Sequence, residues 1–182
     1  MAKTKIAKFD AAHRQLNAAI RMTFGGEDPI AVHTVISAAQ RIVRDLCEQS
    51  GEVESFLRFT DWIRPGQEAT YWRHMNAQAN FTKHADRDTD QAYEFDSELS
   101  DFVIFFTIVW GQGLGFPSSP EITAFMHWFS LLRPQVMKQE WIEKQKAFGI
   151  PFEAAHGEMM QASRSERLTI GAELLKRLRE QG

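Results

Sequence analysis

One stretch of the chain, from Asn80 through Phe81, Thr82, Lys83, His84, Ala85, Asp86 and Arg87 to Asp88, gathers an amide, an ammonium, an imidazole, a guanidinium and two carboxylates within nine residues. Such a set can move protons. A histidine of ordinary pKa serves as general acid or base on a phosphodiester, while Lys83 or Arg87 counters the developing negative charge and Asn80 orients substrate or imidazole. On a helix Asn80 and His84 share a face, being four apart, and so do Lys83 and Arg87. A second reading is equally open. Lysine and histidine suit the negative end of a helix dipole, and Asp86 and Asp88 begin a solvated loop, so the cluster also fits a polar helix C-terminus. His33, early in another apolar-striped segment, is a candidate ligand-binding neighbour of His84 across a helix pair, with Asp88. The competing reading, a core-edge histidine bonded locally, takes precedence because buried polar groups find nearby partners.

Metal chemistry is weakly indicated. Asp10 and His13, like Glu153 and His156, have the acid-to-histidine spacing of three used in di-iron bundles, but the extra glutamates such sites need cannot be picked out. Asp86, Asp88 and Asp90 mimic the start of a calcium loop, yet Gln91 stands where the turn glycine belongs and Ser97 where the bidentate glutamate belongs. No metal and no cofactor are expected. The single Cys47 lies in an apolar helical pattern and reads as a small buried hydrophobe.

The elements that must position these residues are helical throughout. Ile6, Phe9, Leu16, Ile20 and Phe24 recur near helical spacing until Gly25 and Gly26. Asp28 and Pro29 then cap and open a helix to about Gln49, with Val32, Val35, Ile36, Ala39, Ile42, Val43 and Leu46 on one face. A short helix over 52–59 and another from Gln67, striped by Ala69, Trp72, Met75 and Ala79, lead to the polar cluster. Ser97 caps a helix through Gly111 whose centre, Phe102 to Trp110, is apolar all round, with a strand as the rival reading. Gly111, Gly113 and Gly115 form a connection. Ser118 and Glu121 stand at capping-box spacing before the face Ile122, Phe125, Phe129 and Leu132. Pro134 restarts the chain as a helix through Trp141 to Phe148. A segment over 152–161 and a last helix opened by Ser163 and Glu166, striped by Leu168, Ala172, Leu175 and Leu178, complete the chain. The expectation is one all-α domain of about six to eight helices, with 161–182 as a C-terminal basic helix that can lie at the periphery.

Composition narrows the function classes. Hydrophobic content of 43% and charged content of 25% are globular values. A formal net charge of -3 supplies no global field for nucleic acid. Between Asp86 and Asp101 seven carboxylates face Arg87 alone, which disfavours a phosphate backbone unless the five cations of 161–182 lie across them. No run approaches the length that spans a bilayer, and no export signal is apparent, so a soluble cytoplasmic protein is expected. Fourteen Phe and five Trp need to be hidden, and the apolar surface of Phe102–Trp110 with Phe125, Trp128 and Phe129 exceeds what one small core absorbs, which predicts a homodimer.

Two blocks carry a resemblance. Ala19-Ile-Arg21 with Asp28-Pro-Ile-Ala-Val-His33-Thr34, continued by Ala38, Ala39, Ile42, Val43, Arg44, Asp45 and Leu46, and Asn80-Phe-Thr-Lys-His84-Ala-Asp86-Arg-Asp88 look like the signatures of a widespread group of bacterial proteins of unassigned function, over about residues 15–135. The second block also resembles, more distantly, the HEPN superfamily, whose dimeric α-helical domains place an Arg, a spacer and a His at a helix end as an RNase site. Asn80 and His84 match the polar residue and the His. Ala79 stands where the Arg belongs, Arg73 is too far upstream, and Arg87 follows the His. The resemblance implies a dimerising all-α domain. The missing Arg favours a non-catalytic binding or regulatory module, with nucleotide, RNA or protein as partner, over a metal-independent RNase using His84.

Overall fold

The computed structural model describes residues 4–50, 68–83, 90, 92–137, 139–147 and 151–181. Among these residues there is no strand. The helices are α1 (Lys8–Phe24), α2 (Pro29–Ser50), α3 (Glu68–Phe81), α4 (Leu99–Gly113), α5 (Pro120–Leu132), α6 (Gln139–Ala147), α7 (Phe152–Gln161) and α8 (Arg164–Glu180), with one 3₁₀ turn at Pro134–Val136. The all-α expectation holds, and the rival strand at Phe102–Trp110 is a helix. The short helix expected over 52–59 lies outside the described residues. No described helix is long and apolar enough to cross a membrane.

The chain forms two compact units. The first contains α1 up to Ala19 and α2, α3 and α4; the second contains Ile20–Glu27 and everything from Ser118 onward.

In the first unit α2 packs along α4, with α3 beside α2. Asp28 caps α2 as expected, its Oδ1 accepting from the Ile30 amide at 2.8 Å and from the Ala31 amide at 3.2 Å. The buried face of α2 is Val32, His33, Ile36, Ser37, Ala39, Val43 and Cys47. It is rotated from the expected stripe, for Val35, Ile42 and Leu46 are only half-buried and two polar residues take their place. Helix α4 is buried nearly all round. Thr107 is accommodated there by donating to the Val103 carbonyl at 2.7 Å, the local bond by which a hydroxyl satisfies itself inside a helix. The N-cap position of α4 is Glu98, whose side chain makes no capping bond, so the Ser97 cap is corrected. Gly111 and Gly113 belong to the helix rather than to a connection. Gly115, at φ 87°, turns the chain: its amide bonds the Gln112 carbonyl and the Phe116 amide bonds the Gly111 carbonyl, as in other glycine-terminated helices. Ile6, expected on the α1 face, precedes the helix and is exposed.

In the second unit α5 packs on α7 and α8. Ser119, not Ser118, caps α5 by accepting from the Ile122 amide at 3.1 Å, and Pro120 opens the helix. The face Ile122, Phe125, Phe129 and Leu132 is buried as the spacing predicts. Pro134 begins only a 3₁₀ turn, and α6 starts at Gln139. Ser163 and Glu166 form the expected capping box on α8. Trp128 donates its indole N–H to the Arg167 carbonyl at 2.7 Å, tying α5 to α8.

Burial removes the apolar-ring reason for a dimer. Phe105, Phe106, Trp110, Phe125, Trp128 and Phe129 are all buried within one chain, so no second copy is needed to hide them.

Candidate functional site

Of the residues singled out by spacing, His84, Asp86, Arg87 and Asp88 lie outside the described residues. Asn80 is exposed in the last turn of α3, and Lys83 follows closely, its amide bonding the Asn80 carbonyl at 3.1 Å. Thr82 closes the same turn through its hydroxyl to the Ala79 carbonyl and its amide to the Gln78 carbonyl. The free carbonyls of a helix end are thereby taken up locally.

His33 is fully buried on α2. Its Nδ1 lies 3.0 Å from the Ser100 hydroxyl on α4, and the Phe95 ring meets it edge-on at 5.7 Å. Its Nε2 is buried and has no hydrogen-bond partner among the described residues. Burial, and secondarily the charge of Lys83, pushes the imidazole down to about 4, so His33 is neutral at neutral pH. A serine hydroxyl at this distance from an imidazole has the spacing of a nucleophile and its base. Here Ser100 is buried too, at 2% exposure, which closes that pair to substrate and makes it a link between α2 and α4.

Lys83 is the described residue of the polar cluster that the fold perturbs. Although the side chain as a whole is exposed, partial burial of its ammonium, followed by the charge of Arg41, holds it below the ordinary lysine value. The end of α3 therefore lies within electrostatic reach of His33 and Arg41, both on α2. Arg41 is itself held by Asp45, one turn on, at 3.0 Å.

Spacing alone misses Gln78. It is buried to 1% exposure and forms a reciprocal pair with the Asp96 backbone, donating from Nε2 to the carbonyl and accepting the amide at Oε1, both at 3.0 Å. Asp96 in turn accepts the Glu98 amide at 2.8 Å, and Tyr93 stacks on Phe81 at 5.1 Å. These contacts fasten the acidic segment to α3. The signal for Gln78 is its position, three residues after the buried Met75 on the apolar stripe. Gln78→Ala is expected to destabilise the protein by about 1–2 kcal/mol, because it strips the partners from two backbone groups; a urea midpoint unchanged from wild type would refute the clamp.

The metal candidates are not assembled among the described residues, where no group of three or more His, Cys, Asp and Glu could hold an ion. His13 packs edge-on to Phe116, His156 contacts the Leu131 carbonyl at 2.7 Å, and Glu153 pairs with Lys146 at 2.7 Å. Cys47 is a buried free thiol.

No family model, no curated protein and no solved structure matches the chain. What the site can do follows from its own chemistry. The described part offers an amide (Asn80), a partly desolvated ammonium (Lys83) and a guanidinium (Arg41) beside a neutral buried imidazole. These groups donate hydrogen bonds and positive charge; none of them is a free base at the surface.

Proposed function

We propose that the protein is a non-catalytic, HEPN-like helical binding or regulatory module that recognises a nucleotide through the C-terminal end of α3. The observation that supports this most directly is Lys83, whose ammonium is held below its ordinary value by burial and by Arg41. Arg41 already has Asp45 as its counter-ion at 3.0 Å, so the charge offered to an anion here is chiefly that of Lys83, and a phosphate group is an anion that lysine suits well. The exposed Asn80 amide beside Lys83 adds a donor and an acceptor for a base or sugar. A non-catalytic role fits the absent Arg of the RNase motif and the closed, neutral His33.

The test compares wild type with Asn80→Ala, Lys83→Ala and His84→Ala for nucleotide binding and for cleavage of total RNA in chelator. Lys83→Ala is expected to weaken nucleotide binding by about tenfold, the loss of one charge-assisted contact, with no cleavage by any form. Cleavage by wild type that His84→Ala abolishes with the fold intact would replace this reading with that of a metal-independent RNase. A homodimer, which the HEPN resemblance implies, now rests on that resemblance alone, and light scattering at micromolar concentration reads it directly.

A further inference from the structure

We propose that the cleft between the C-terminal turns of α1 and α8 is a binding site for a small organic phosphate, held by Arg21, Lys176 and Arg179. The cleft belongs wholly to the second unit and has a volume of about 390 Å³, within the range of small-molecule sites. Phe24 and Leu175, both buried, contribute its apolar lining, and Arg21, Lys176, Arg179 and Glu180 its polar one.

The two arginines are set in place before any ligand arrives. Arg21 Nη1 and Arg179 Nη2 both donate to Oε1 of Glu121, at 2.9 and 2.5 Å. Glu121 is buried to 7% exposure. Burial would raise its carboxyl, but the hydrogen bonds from Arg179, from its own backbone and from Arg21, together with the charge of Arg179, hold it below the ordinary carboxylate range. The anchor is thus ionised at neutral pH.

A guanidinium has five N–H donors, and each arginine uses one on Glu121. Among the described residues neither guanidinium makes another hydrogen bond or ion pair, so most of their donors remain for a ligand. Both side chains are about half exposed, at 45% and 46%. Lys176 is exposed and makes no ion pair among the described residues. Three cations against Glu121 and Glu180 leave an excess of positive charge, and the planar donor forks match phosphate oxygens.

A helix C-terminus disfavours an anion, but at α1 the last carbonyls are already occupied. The Gly25, Gly26 and Glu27 amides bond the Arg21, Thr23 and Met22 carbonyls, and Gly26 at φ 68° makes that turn possible. The apolar lining favours a phosphate that carries a ring or chain over the bare ion.

Calorimetric titration of the full chain with phenyl phosphate and with inorganic phosphate tests this. In wild type and in Lys83→Ala a site is expected that is tighter for phenyl phosphate and is weakened about tenfold or more by Arg179→Gln and about threefold to tenfold by Lys176→Gln. Lys176 is exposed and makes no hydrogen bond or ion pair through its ammonium among the described residues, so its variant decides the matter even if Arg179→Gln unfolds. Lys83→Ala removes the phosphate contact proposed for the end of α3, so the site that persists in this variant is the one in the cleft. Absence of binding, equal affinity for the two phosphates, no effect of Lys176→Gln, or loss through Lys83→Ala would each overturn the assignment.

Discussion

Replacing Gly171 with alanine is expected to destabilise the protein by about 2 kcal/mol, whereas the same replacement at Gly157 stabilises it by about 0.5–1 kcal/mol. Both glycines lie inside helices, Gly171 in α8 and Gly157 in α7. On intrinsic propensity alone alanine is favoured at each by about 1 kcal/mol. Surroundings reverse the sign at Gly171. A Cβ there would sit 2.2 Å from Cε1 and 2.4 Å from Cδ1 of Phe24, far inside van der Waals contact.

The Phe24 ring has little room to yield. It is 5% exposed, meets Trp128 edge-on at 5.5 Å and lies 6.3 Å from Phe125, and Trp128 is fixed by its bond to the Arg167 carbonyl. Relief must come from moving α8 away from the aromatic core, and overpacking of that kind costs about 1–3 kcal/mol, more than the helix gains. At Gly157 a Cβ meets nothing within 4 Å, so propensity acts unopposed. Urea unfolding of the two variants reads the signs. A stabilised Gly171→Ala would mean that α8 does not pack on Phe24 as described.

Much of the secondary structure is legible in the sequence because it is decided locally. Asp28 with Pro29 and Ser163 with Glu166 satisfy helix amides through residues two or three positions away, and the spacing alone shows it. The apolar spine of α5 follows from period. Where sequence and structure differ, a distant partner has the deciding part. Glu121 stands at capping-box spacing from Ser118, yet its carboxylate goes to Arg21 and Arg179, which are 100 and 58 residues away, leaving the cap to Ser119. The face of α2 is rotated because His33 finds Ser100 on α4. Gly111 reads as a loop residue until the Phe116 ring is seen to occupy the space of its Cβ, at 2.3 Å.

The candidate site is legible in the same partial way. Residue types and spacing single out Asn80 and Lys83 at a helix end, and α3 does end at Phe81. They contain nothing about which charges on α2 face that end. The coupling of Lys83 to Arg41 and to His33 is a property of how α2 and α3 pack, as is the role of Gln78, whose partner is a backbone segment 18 residues on.

The second large effect is one of pH and belongs to His33. In the unfolded chain its imidazole takes up a proton near 6.5, and in the folded protein only near 4. Between these values the unfolded state binds more protons, so stability falls as the pH drops through the window and is unaffected by this group above it. The depression corresponds to about 3 kcal/mol lost by about pH 4, a large share of the few kcal/mol by which domains of this size are stable. No discount for solvent applies, since the residue is at 0% exposure. Carboxylates add their own slope, so the measurement is a comparison: urea unfolding from neutral pH down to the folded-state value for wild type and for His33→Gln, which cannot titrate. The variant should lose markedly less stability over that range even if it starts lower for want of the Ser100 contact. Lys83→Gln supplies an independent check, because removing a like charge raises the His33 pKa, and the shift is readable from the imidazole resonances. Parallel pH profiles for wild type and His33→Gln would show that His33 is not buried neutral between α2 and α4. An unmoved His33 titration in Lys83→Gln would separate the end of α3 from α2 and remove the electrostatic basis of the proposed nucleotide site.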